Sequence, residues 1–125
     1  MKQIIKTEKA PKAIGPYSQA VLAKGVLYCS GQIAIDPITN ELIISDIESE
    51  TKQVMNNLNA VLQAANMDFN NVVKCSIFLK DMNQYSLVNN IYSSYFKNNP
   101  PAREAVQVSV LPKNVNVEIS LIAVE

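Results

Sequence analysis

From Val106 to Ile119 the chain alternates apolar and polar residues in two blocks. Val106, Val108 and Val110 interleave with Gln107 and Ser109, and Val115, Val117 and Ile119 interleave with Asn116 and Glu118. A period of two means strand, because successive side chains leave a strand on opposite faces. Leu111-Pro112-Lys113-Asn114 separates the blocks and reads as a turn. The expected pairing is a hairpin in which Val110 faces Val115, Val108 faces Val117 and Val106 faces Ile119. All six apolar side chains then share one face. In that register Arg103, Ala105, Gln107, Glu118 and Ser120 share the other.

The remaining pattern supplies partners for this hairpin. A short strand is expected over Lys2–Lys6, followed by an irregular segment broken by Pro11, Gly15 and Pro16. Gln19–Ala23 and Val26–Ser30 read as strands around a Lys24-Gly25 turn, with Gln32–Ile35 extending the second and Glu41–Ile44 following a turn. Ile47, Val54, Leu58, Val61, Leu62 and Ala65 fall on one helical stripe, predicting a helix from Asp46 to about Asn66. Ser45 or Asp46 can cap its start and Asn66 can end it. A second stripe, Val88, Ile91, Tyr92, Tyr95 and Phe96, predicts a helix over about Asn83–Lys97, stopped by Pro100 and Pro101. Val72–Leu79 between the helices reads as a strand. The expected architecture is a single α+β domain over residues 1–125: a mixed sheet with two helices packed on one face. The other face is left for water or for another copy of the chain.

Composition narrows the chemistry more than the fold. The 125 residues hold 11 Lys plus Arg, 11 Asp plus Glu and no His, so the net charge is zero. Such a chain has no positive field with which to displace the counterions of a nucleic acid. With no His and two Cys, a structural zinc site and a Ser-His-Asp or Cys-His pair are excluded. Only three Gly occur, all by position 31, so no glycine-rich phosphate loop can be written. No apolar run is long enough for a membrane span or a secretory leader. Cys29 and Cys75 lie in apolar strand segments and read as buried, reduced thiols of a cytoplasmic protein.

Two stretches can still carry a reaction. Pro100-Pro101-Ala102-Arg103 sets an arginine at the start of a strand behind a rigid turn. Its planar fork suits a carboxylate held by two parallel hydrogen bonds, although a structural ion pair with Glu104 answers the same pattern. Glu118 lies mid-strand, where a carboxylate is costly unless paired or wet, and can act as a base on water. In the expected register Arg103 faces Ile122, four residues from Glu118 and about 13 Å along the strand. That gap fits a small acid and a water, within one chain or between copies. Gly15-Pro16 projects Tyr17 from a turn, as a site residue or as a packed loop tyrosine. Gly31 can admit a ligand to its backbone N–H or mark a bulge. Ser30 has no base to activate it as a nucleophile.

These blocks together resemble a known family. Ala13-Ile14-Gly15-Pro16-Tyr17-Ser18-Gln19-Ala20, Ser30-Gly31-Gln32-Ile33, Pro101-Ala102-Arg103 and Leu111-Pro112-Lys113 with Val117-Glu118-Ile119 are similar, in order and spacing, to the RidA/YjgF reactive-intermediate deaminases. The resemblance runs the length of the chain. It implies a chorismate-mutase-like fold, a homotrimer with ligand sites between subunits, and hydrolysis of 2-imino acids such as 2-iminobutanoate and 2-iminopropanoate to 2-keto acids and ammonia, without cofactor or metal. Carried over by position, Arg103 binds the substrate carboxylate and Glu118 places or activates the water. Tyr17, Ser30, Gly31 and Asn89 line the pocket. The chain departs from the pattern at Ala105, where a cysteine is common, and at Glu104, where a small residue is common. A regular strand turns Glu104 away from Arg103. Two other readings compete: a small-acid-binding regulatory module without turnover, and a ribonuclease or translation inhibitor, which the zero net charge disfavours.

Overall fold

A computed structural model describes residues 1–125. Its strands are β1 (Gln3–Ile5), β2 (Ala20–Ala23), β3 (Val26–Gln32), β4 (Val72–Leu79), β5 (Ala102–Gln107) and β6 (Val117–Val124); its helices are α1 (Ile47–Ala64) and α2 (Tyr85–Ser93). The six strands form one sheet in the order β1-β2-β3-β6-β4-β5. Every neighbouring pair is antiparallel except β4 and β5. Both helices cover the same face, and the other face is bare. The α+β expectation therefore holds.

The helix α1 forms where its stripe and its caps agree. The Asp46 carboxylate accepts from the Ser49 amide at 2.7 Å, and Asn66 takes the left-handed φ of 59° that ends the helical run. Every member of the expected stripe is buried: Ile47, Val54, Leu58, Val61, Leu62 and Ala65 pack onto Leu27, Ile119, Leu121 and Ala123 of the sheet. The second helix is shorter than its stripe suggests, because Met82–Gln84 is a tight 3-10 turn and the chain beyond Ser94 is irregular. Glu41–Ile44 makes only a single bridge, Ile35 to Leu42.

The expected hairpin does not form. Strand β4 lies between β5 and β6 and pairs with both. The cause is the helical connection: two strands joined through a crossover helix run parallel and side by side, so β4-α2-β5 fills one edge of β4 and leaves β6 the other. The valine rows consequently belong to opposite faces. Val106 pairs with Phe78 on the bare face, and Val106 and Val110 are 42% and 66% exposed. Val117 and Ile119 pair with Leu79 and Ile77 on the helix face, and both are 0% exposed. Arg103 faces Cys75 rather than Ile122, and Ile122 faces Lys74. Alternation reveals that a segment is a strand with two unlike faces. It does not reveal which strand lies beside it.

Three buried polar side chains tie loops to this frame. The Gln19 amide bonds Thr7, Ala10 and Pro11 backbone groups. Asn57 of α1 donates to the Ile33 and Ile35 carbonyls, and Glu50 of α1 accepts from the Asn116 and Val117 amides at the start of β6. Cys29 and Cys75 are free and buried, as expected. Burial pushes the Cys29 thiol up to about 12 and raises Cys75 as well. No helix is long and apolar enough to cross a membrane.

Candidate active site

Arg103 stands on the helix face, half-buried beneath α2. Its Nη1 donates to Asn89 Oδ1 at 2.7 Å, and its Nη2 donates to the Tyr85 hydroxyl. The guanidinium carbon lies 5.0 Å from the Tyr92 ring centroid and 5.5 Å from that of Tyr85, within cation–π range of both. Burial and the neighbouring Cys75 push the Tyr92 phenol up, so it stays neutral against the cation. Two of the five guanidinium N–H groups are engaged and the rest are free for a ligand. An open recess of about 440 Å³ lies in front, walled by Asn89, Tyr92, Pro100, Pro101 and Arg103.

The ion pair with Glu104 does not exist. Glu104 points to the bare face, where it accepts from Ser76 and pairs with Lys74 Nζ at 2.9 Å. Ser76 and then Lys74 hold its carboxyl below the usual range. That is the chain's only salt bridge, so Arg103 is a half-buried cation with no carboxylate partner. A guanidinium clamped by neutral groups and left with free donors is prepared for an anion.

Glu118 occupies the bare face, opposite Phe78. Its carboxylate lies directly over Gly31, at the bulge of β3 between Cys29 and Gln32. A Cβ at position 31 would overlap the carboxylate where it now lies, so glycine is what lets Glu118 keep that place. Desolvation raises the Glu118 carboxyl above its ordinary value. A cavity of about 110 Å³ opens beside it, lined by Tyr17, Gly31, Pro112, Lys113 and Glu118 among others.

The anticipated residues thus gather in two groups. Tyr17, Gly31 and Glu118 share one cavity, and Asn89 and Arg103 share another. The groups lie on opposite faces of one sheet, so the expected common face for Arg103 and Glu118 is wrong, and so is the gap of about 13 Å drawn from it. Ser30 lies next to Gly31, but its hydroxyl donates to the Ser18 carbonyl at 2.6 Å and ties the Tyr17 loop to β3. Tyr85 and Glu50 escaped the reading of the sequence. Tyr85, Asn89 and Tyr92 follow i, i+4, i+7, so that spacing alone aligns all three on one helix face.

The family model described as Endoribonuclease L-PSP matches residues 7–125. A RutC family protein of Pyrococcus horikoshii is 50% identical over 98% of each chain. The human 2-iminobutanoate/2-iminopropanoate deaminase is 47% identical over 100% of this chain and 91% of its own. The chain belongs to the RidA/YjgF family. The crystal structure of YyfA from Yersinia pestis, a Rid-family protein of unknown function, superposes with a TM-score of 0.98 at 49% identity, covering 100% of both chains. In this RidA/YjgF chain Ala105 packs toward the core from the same face as Arg103, and Glu104 is turned away from the guanidinium.

Proposed function

We propose that the chain is a hydrolytic deaminase of 2-imino acids and their enamines, with 2-iminobutanoate and 2-iminopropanoate as substrates. It works as a homotrimer in which Arg103 of one copy and Glu118 of another meet across a cleft. The observation that carries this reading is the unpaired guanidinium: a cation clamped by Asn89 and Tyr85, facing an open recess, with free N–H groups for a small carboxylate. The mammalian relatives that bear a deaminase name support the choice of reaction.

The chemistry needs little more. A protonated imine is already electrophilic at carbon. Arg103 holds the carboxylate and fixes the carbon in place. Glu118 takes a proton from water as the new C–O bond forms, giving a tetrahedral carbinolamine. Glu118 returns that proton to the nitrogen, the hydroxyl oxygen's electron pair closes to C=O as the C–N bond breaks, and Glu118 takes the hydroxyl proton, so ammonia leaves a 2-keto acid behind. A carboxyl raised by desolvation suits both proton transfers better than an ordinary surface glutamate does. Gly31 offers its backbone N–H beside that carboxylate, and Tyr17 closes the cavity.

The test generates 2-iminobutanoate in situ and traps it with semicarbazide. At catalytic protein concentrations the wild-type chain diverts the imine to keto acid, and Arg103→Ala does not. Binding of 2-ketobutyrate without any diversion would favour a regulatory module instead. Sedimentation that returns a monomer would remove the shared cleft.

A further inference from the structure

We infer that Tyr85 is a positioning residue for Arg103: its hydroxyl fixes the second guanidinium nitrogen and sets the plane in which a carboxylate is received. This deepens the proposed function and rests on its use of Arg103 as the anion anchor. An arginine side chain is long and samples many rotamers, so a carboxylate site built on one loses affinity to ordering unless the side chain is ordered beforehand. Asn89 fixes Nη1 alone, and the Tyr92 face supports the guanidinium without fixing the direction of any N–H. The Tyr85 hydroxyl accepts from Nη2 and fixes that direction.

The surroundings give this bond a rigid origin. Tyr85 begins α2, one residue after the 3-10 turn Met82–Gln84. The Met82 amide donates to Gln107 Oε1 at 2.7 Å, and Gln107 lies on β5, the strand that carries Arg103. Strand, turn, tyrosine and guanidinium therefore close a ring: β5 holds the start of α2, and the start of α2 holds the β5 arginine. The same tyrosine places its ring within 5.5 Å of the guanidinium carbon, so contact is retained when only the hydroxyl is removed. Tyr85→Phe is consequently a clean probe of the hydrogen bond.

The experiment measures 2-ketobutyrate binding and imine turnover for wild type, Tyr85→Phe, Arg103→Lys and the double variant. Tyr85→Phe should weaken 2-ketobutyrate about ten-fold and raise KM to match, the loss expected for one hydrogen bond to a charged group. Its kcat should stay within about two-fold, because the water is placed by a different residue. Lysine has no fork for the hydroxyl to hold, so Tyr85→Phe should add nothing in the Arg103→Lys background. A ligand-free check is the side-chain NMR of Arg103, whose Nη protons should be distinct in wild type and exchange-averaged in Tyr85→Phe. Unchanged binding in Tyr85→Phe, or an equal loss in the Arg103→Lys background, would overturn the inference. A wild type whose 2-ketobutyrate affinity depends on the Tyr85 hydroxyl yet which hydrolyses no imine would remove the deaminase reading and leave this one standing. A wild type that binds no 2-ketobutyrate removes both.

Discussion

Arg103 and Glu118 project from opposite faces of the same sheet, Arg103 beside Cys75 beneath α2 and Glu118 beside Phe78 on the bare face. The sheet itself separates them, so no side-chain motion within one copy joins them. In the proposed homotrimer each copy would therefore supply one half of two different clefts, and a working site would need a donor of each half.

That division predicts complementation. Arg103→Ala and Glu118→Gln should each be inactive alone. Unfolded and refolded together, they should form mixed trimers in which an intact Arg103 meets an intact Glu118 at about a quarter of the clefts, by random assortment of copies in a cyclic assembly. Recovered turnover near that fraction of wild type is the expected result. No recovery, with mixed trimers verified by mass, would place both residues in one copy's site.

Gly31→Ala should damage turnover through Glu118. The added Cβ would overlap the place of the carboxylate, the flexible end of Glu118, which would have to shift. A displacement of that order costs about a hundredfold in rate when it moves a group that places a reactant. Keto-acid binding through Arg103 should persist. Loss of binding equal to the loss of kcat would show that Gly31 acts elsewhere.

If Glu118 is the base of the proposed reaction, its carboxyl should set the pH dependence. Desolvation raises its pKa in the folded chain. A base is active only when deprotonated, so kcat should fall on acidification along a limb lying above the usual carboxylate range, and Glu118→Gln should lack that limb. The stability linkage has the matching sign. Between the unfolded and the raised folded pKa the native state binds more protons than the unfolded one, so this group's contribution is greatest at acid pH and declines as pH rises through the folded pKa. Chemical denaturation of wild type and Glu118→Gln across that window should diverge toward neutrality, with the glutamine variant relatively more stable there.

Glu50 should matter for folding rather than chemistry. Its wholly buried carboxylate accepts from the Asn116 amide at 2.8 Å, from Asn116 Nδ2 at 2.8 Å and from the Val117 amide at 3.2 Å. Glu50→Ala orphans these donors and opens a cavity, at a cost of about 3–5 kcal/mol. Glu50→Gln should cost less, since one carbonyl oxygen remains. Urea unfolding monitored by circular dichroism would rank them.

Local signals were legible in the residues. The α1 stripe, the Asp46 cap and the Asn66 stop are each written within a few positions, and all three are realised. The neighbour of β5 was not legible, because the Val106 and Val117 alternations are alike and only the β4-α2-β5 connection separates their faces. The same mistake placed Arg103 with Glu118. Ser30 and Gly31 are adjacent in sequence, yet the strand bulge turns one hydroxyl to the Ser18 carbonyl and leaves the other residue under Glu118. Glu50 stands three residues after Ile47 and four before Val54, on the apolar stripe itself, so its spacing marks it as buried; its partners at Asn116 and Val117 are distant in sequence and were not legible.

The sealed thiols offer a clock. Cys29 and Cys75 both lie in the core, and the Cys29 proton is released only near pH 12. An alkylating reagent reacts with thiolate, so at neutral pH the native chain presents it with almost no target. Each labelling event therefore marks a moment when the sheet has come apart around β3 or β4, and the rate of mass gain reads out how often that happens.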